Sequence, residues 1–84
     1  MEQKLTYTTS GTCSRLIELM AEDGRLTDVR FVGGCDGNLK GIRQLVVGMK
    51  LEDVRQKLQG IRCGSKPTSC PDQLSRAVDQ LLRG

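Results

Sequence analysis

The 84-residue chain is predicted to fold as a single α+β domain, residues 1–84, in which a three-stranded antiparallel sheet precedes three helices. The first half alternates apolar and polar residues, which is typical of strands. An Asp23–Gly24 pair interrupts this half and favours a two-residue hairpin turn. The second half places apolar residues at helical spacing. We therefore expect the order β-β-β-α-α-α, with the helices packed on one face of the sheet.

The first three elements are predicted as strands. In KLTYTTS, Leu5 and Tyr7 alternate with polar residues, as in a half-buried strand. Segment 14–20 is rich in Leu, Glu and Met, which favour helix. The Asp-Gly dipeptide that follows needs a strand on each side, so we interpret segment 14–20 as a strand paired with Leu26–Val32.

The second half is predicted to contain three helices. The first has Asp36 or Asn38 as a suitable N-cap and ends near Gly48. The second is LEDVRQKL, which Gly60 follows closely. The third helix carries the clearest apolar stripe.

The start of the third helix combines a thiol with a proline in the sequence SCPDQL. Proline is favoured at the first helical position, so Pro71 is predicted there and Cys70 at the N-cap. The helix dipole and the unpaired N–H groups of the first turn stabilise a thiolate, which lowers its pKa. Thiolate is the form that binds metal or attacks disulfides.

Four cysteines flank the predicted element ends, in loops rich in Gly and Ser: Cys13, Cys35, Cys63 and Cys70. No leader or membrane span is visible, so we expect a cytoplasmic protein with reduced thiols. The cysteines then predict a metal site, and the chain has no histidine to contribute. Two alternatives stay open, namely small buried thiols without a cofactor and a redox pair formed by Cys63 and Cys70.

The charge pattern, the hydropathy and the small sheet indicate which kinds of partner to expect. The net charge is +3, and acidic and basic residues interleave as on solvated helix faces, which argues against a dedicated nucleic-acid site. The absence of a long apolar run in this sequence argues against a membrane partner. A small sheet leaves edge strands that need protection or pairing, so a homodimer is an expectation.

Two loops have residues suited to phosphate binding. GGCDGNLKG precedes a helix, and CGSKPTS combines a lysine with hydroxyl groups. Neither matches a dinucleotide-binding or Walker A motif, so tight backbone packing and a polar surface loop stay open as alternatives. The candidate nucleotide-binding residues are Gly34, Gly37, Asn38, Ser65, Lys66, Thr68 and Ser69.

The motif TSCPDQL, together with GGCDGNLKGI and GIRCGSKPTSC, resembles the TSCPD domain family over roughly residues 5–82. That family includes small stand-alone proteins, and the domain also occurs toward the C-terminal end of some ribonucleotide reductases, notably adenosylcobalamin-dependent ones. The resemblance implies an accessory role in ribonucleoside-diphosphate reduction, hence in deoxynucleotide synthesis and DNA replication. The partner would be a reductase subunit or a nucleotide. A chain this short has no room for the reductase barrel, so self-sufficient reductase activity is not expected.

The order of elements and cysteines is also similar to iron–sulfur cluster assembly scaffolds of the IscU/NifU type. Those scaffolds hold a cluster or zinc with three cysteines, whose counterparts here would be Cys13, Cys35 and Cys70. The chain departs from them at Arg15 and Ser69, where they carry Asp and often His. Cys63 would complete a closed site of four thiolates, which implies structural zinc, with a transient cluster as the alternative.

Overall fold

The computed structural model describes residues 2–9, 14–33, 36–62, 64 and 68–83, and within them the predicted order of strands and helices is confirmed. The elements are β1 (Glu2–Thr8), β2 (Ser14–Glu22), β3 (Arg25–Gly33), α1 (Asp36–Val46), α2 (Leu51–Leu58) and α3 (Cys70–Arg83). The three strands form one antiparallel sheet in the order β1-β2-β3. The fold class is therefore α+β, as the two hydrophobic periodicities predict.

The turn between β2 and β3 confirms the predicted hairpin. Asp23 has φ 54° and Gly24 has φ 80°. A two-residue turn of the I′ type needs positive φ at both central residues, because only that twist matches the flanking strands. Segment 14–20 is thus a strand despite its helix-forming residues, since β2 pairs with a neighbour on each side.

One face of the sheet is buried by the helices. On β2, Ile17, Leu19 and Ala21 are almost fully buried, whereas the intervening Glu18 is exposed. Each buried position is two residues from the next, so all three side chains point to the same face. The apolar core continues through the helices, where its members are Val46, Leu51, Val54, Leu74, Ala77, Val78 and Leu81.

Helix α3 lies across β1 and β2 and packs against α2. Near its C-terminal end, the Leu81 carbonyl accepts a hydrogen bond from the Gln3 side chain at the start of β1 (3.4 Å). Toward its N-terminal end, Asp72 lines the same cleft as Tyr7, near the end of β1. The start of α3 therefore lies toward the end of the sheet where β1 finishes and β2 begins.

No helix in the described ranges is long and apolar enough to cross a bilayer. The longest, α3, has 14 residues and includes charged side chains along its length.

Candidate functional site

The candidate site lies at the start of α3, and Ser69 is the residue that caps this helix. The Gln73 N–H donates to the Ser69 carbonyl (2.9 Å), which is the first bond within the helix. The Asp72 N–H donates to Ser69 Oγ (3.2 Å). Cys70 is consequently the first helical residue and Pro71 the second, so the predicted cap at Cys70 was wrong. A hydroxyl oxygen is a better acceptor than a thiol, and a proline is tolerated here because the first four N–H groups have no intrahelical partner.

Asp72 is the centre of a buried polar cluster. Its carboxylate accepts hydrogen bonds from Thr68 Oγ1 (2.5 Å) and from the Gly60 N–H (2.8 Å), and it pairs with Arg76 Nη2 (3.2 Å). Burial raises the pKa of Asp72, but the two hydrogen bonds and the Arg76 charge outweigh burial and bring it below its ordinary value. A buried carboxylate that stays ionised in this way fixes the end of α2 against the start of α3.

The hydroxyl groups of Thr68 and Ser69 belong to the same cluster. Both residues are only 5 % exposed. Thr68 Oγ1 also accepts a hydrogen bond from Gln73 Nε2 (2.9 Å), and Ser69 Oγ donates to the Ile61 carbonyl (2.6 Å). These two predicted phosphate-binding residues therefore use their hydroxyls inside the protein, and phosphate binding by them stays a prediction.

The thiol at the first position of α3 is buried, since Cys70 is 8 % exposed. The thiol stands at the positive end of the helix dipole, with the Asp72 carboxylate two residues later. Soft thiolate donors of this kind suit zinc and iron–sulfur clusters. The predicted partner ligands Cys13, Cys35 and Cys63 lie outside the described residues. Within the described ranges no three metal-binding side chains lie together, and the metal site stays a prediction.

Two residues that are close in sequence to Cys13 and Cys35 lie opposite each other in the sheet. Ser14, which follows Cys13 in sequence, is the register partner of Gly33, which precedes Cys35 by two residues. This pair stands at the end of the β2–β3 ladder that faces away from the hairpin turn. The sequence segments that contain Cys13 and Cys35 thus join the sheet at the same end.

A second pair of segments meets at the start of α3. Ile61, two residues before Cys63, is held by the side chain of Ser69, which directly precedes Cys70. The polypeptide leading to Cys63 is therefore attached beside Cys70. The start of α3 lies toward the end of β1, which is also where β2 begins. The described residues nearest to Cys13, Cys35 and Cys63 therefore lie in the same half of the molecule as Cys70.

The other predicted loop residues fall partly outside the described ranges. Gly34, Ser65 and Lys66 are not described, whereas Gly37 and Asn38 lie in the first turn of α1. The N-cap precedes the first helical residue, and α1 begins at Asp36, so neither Asp36 nor Asn38 is its N-cap as predicted. Nucleotide binding at these five positions stays a prediction.

The role of Asp72 in this cluster was not predicted from the sequence. The signal was the spacing S-x-x-D, since an acid three residues after a serine cap is the pattern of a capping box. Instead of returning to the cap, the carboxylate bonds to Gly60, twelve residues upstream. That partner is not readable from local sequence.

Comparison with known proteins gives a single finding. The family model described as TSCPD domain matches residues 2–82, nearly the whole chain. The searches of curated proteins and of solved structures returned no match, so the similarity to IscU/NifU scaffolds stays a prediction. TSCPD domains are known from ribonucleotide reductases, which supports a general association with those enzymes. The chain belongs to the TSCPD domain family.

Proposed function

We propose that this domain is an accessory module of ribonucleotide reduction whose fold is completed by a structural zinc ion bound by Cys13, Cys35, Cys63 and Cys70. Family membership supports the link to the reductases. The observation that carries the metal proposal is the buried Cys70 thiol at the first turn of α3, beside the attached segment that leads to Cys63.

The chemistry of the four donors suits zinc. Zinc prefers tetrahedral coordination, and four thiolates close the site and leave no position open for a substrate. Such a site stabilises a fold rather than catalysing a reaction. An 84-residue domain with an aliphatic core is marginally stable, so metal binding would contribute directly to its folding free energy.

The metal proposal is tested by measuring zinc, iron and sulfide per chain after anaerobic purification. We expect about one zinc per chain, with loss of zinc in Cys70→Ser and in Cys35→Ser. Ser69→Ala is the matched control, because it weakens the start of the same helix and keeps every thiol. Wild-type protein without zinc would contradict the proposal, and iron with sulfide and visible absorbance would replace it with a cluster site.

The accessory role is tested with the reductase of the same cells. We expect the isolated chain to lack reductase activity and to co-sediment with a reductase subunit, changing its activity or its response to nucleotides. If neither sedimentation nor activity changes at tens-of-micromolar concentrations, the accessory role is wrong. Sedimentation of the chain alone tests the homodimer expectation in the same experiment.

A further inference from the structure

A cleft separates the exposed sides of α2 and α3. Its volume is about 900 Å³, within the range of small-molecule sites. Its charged lining residues are Arg55, Arg62, Arg76, Arg83, Asp72 and Asp79. Four arginines against two aspartates leave an excess of positive charge in one concave surface, although the whole chain carries only +3.

Two of these arginines are held in place by a single carboxylate. Arg55 Nη1 and Arg83 Nε contact Asp79 at 2.9 and 2.7 Å. Each guanidinium has five N–H donors, so this shared contact leaves most of them available. Asp79 thus orients two cations from different helices, and less side-chain entropy is lost when a ligand binds them.

A third arginine is exposed at the edge of the cleft. No ion pair or hydrogen bond joins Arg62 to another residue in the part of the chain that the structure describes. The backbone just before it is fixed, because Gly60 is bonded to Asp72 and Ile61 to Ser69. Arg62 thus lines the cleft, and the polar cluster at the start of α3 holds the backbone that precedes it.

The remaining polar groups define what else a ligand must carry. Gln56, Gln59 and Gln80 provide both donors and acceptors, and the two aspartates accept hydrogen bonds but repel anions. A ligand that is anionic throughout, such as an acidic peptide, would meet the aspartates. A ligand with an anionic end and hydroxyl or amino groups elsewhere would satisfy both kinds of lining residue.

We propose that the α2–α3 cleft binds a phosphate ester that also carries hydroxyl or amino groups, of the class of nucleoside diphosphates. Arginine forks match phosphate oxygens in pairs, while Asp79 and the glutamine side chains bond to the sugar hydroxyls and the base. The cleft is distinct from the thiolate site and from the two loops in which sequence predicts phosphate binding. A failed zinc measurement would leave this proposal unaffected.

The test is a titration of the full chain, in whichever metal state it is purified, with three separate probes: adenosine diphosphate, ribose 5-phosphate and inorganic pyrophosphate. Binding is monitored by the NMR chemical shifts of the backbone amides. We expect shifts at Arg62 and Gln80 with the diphosphate nucleotide, weaker binding of the two smaller probes, and weakening as salt rises. Loss of one charge-assisted phosphate contact in Arg62→Gln or in Arg83→Gln should weaken binding about tenfold or more.

Lys57→Gln is the matched control, since it removes one exposed charge from α2 outside the cleft. We expect it to change affinity by less than about twofold. Three results would overturn the proposal: equal losses of affinity in Lys57→Gln and Arg62→Gln, shifts confined to other surfaces, or no shift at about 10 mM nucleotide. A concentration of about 10 mM is far above the dissociation constant of a specific site. Pyrophosphate binding as tightly as the nucleotide would overturn its sugar and base component, and ribose 5-phosphate doing so would assign the site to sugar phosphates.

Discussion

The carboxylate of Asp72, in the first turn of α3, accepts a hydrogen bond from the backbone N–H of Gly60 at 2.8 Å. Gly60 follows the end of α2 and has φ +82°, in the left-handed region that glycine adopts without strain. This conformation turns the chain after α2 so that its N–H faces the carboxylate. One contact thereby joins two helices and forms one end of the arginine-lined cleft.

Replacing the carboxylate should destabilise the domain. Asp72→Asn keeps the shape but loses the charge that Thr68, Gly60 and Arg76 contact, so we expect a loss of about 1.5–3 kcal/mol in the free energy of unfolding. Asp53→Asn is the control, because Asp53 is exposed in the first turn of α2. Its replacement should lower the free energy of unfolding by only about 0.3–1 kcal/mol. Urea unfolding of both variants measures the difference, and equal losses would contradict the role of Asp72.

The same carboxylate predicts a pH dependence. The pKa of Asp72 is lower in the folded protein than its ordinary value of 3.8, so its contribution is complete above the unfolded pKa and is lost as pH falls through the folded pKa. The stability difference between wild type and Asp72→Asn should be constant above about pH 5 and shrink below about pH 4. Comparing the two proteins at each pH cancels a contribution from metal release, because both keep every thiol. A difference that stays unchanged to pH 2 (about two units below the ordinary value) would refute this prediction.

Two buried serines of the α3 region should respond differently to alanine. Ser69→Ala removes the N-cap and the bond to Ile61, and we expect a loss of about 1–2 kcal/mol. Ser75 Oγ donates to the Asp72 carbonyl within the same helix (2.6 Å). Its replacement by alanine should cost less than about 1 kcal/mol, because alanine has the higher helix propensity. Thermal unfolding of the two variants compares them, and a larger loss in Ser75→Ala would show that Ser69 is not the critical cap.

Two glycines should respond with opposite signs. An added Cβ meets nothing within 4 Å at either Gly60 or Gly41. The effect of alanine on stability at these positions therefore depends on the backbone conformation alone. Gly60→Ala places alanine at positive φ and should cost about 1–2 kcal/mol. Gly41→Ala lies inside α1 and should stabilise by about 0.5–1 kcal/mol. Melting temperatures that move in the same direction for both variants would contradict this explanation.

The cap of α3 illustrates how far local sequence reasoning reaches. A proline near a helix start indicates the first turn but not which residue begins it, because its fixed φ suits any position of that turn. Whether Ser69 or Cys70 caps the helix depends on which side chain turns back toward the free N–H groups. Here Ser69 also bonds to Ile61, eight residues earlier, and this second partner holds its hydroxyl at the cap.

By itself the sequence determined the sheet, its hairpin and the three helices, because strand and helix periodicities and an Asp-Gly turn act over a few neighbouring residues. The tertiary structure decided the polar cluster and the cleft. Asp72 meets Gly60 across 12 residues, and Arg55 meets Asp79 across 24. Such partners are brought together by the packing of α2 on α3, which buries a carboxylate among donors and concentrates arginines on one surface.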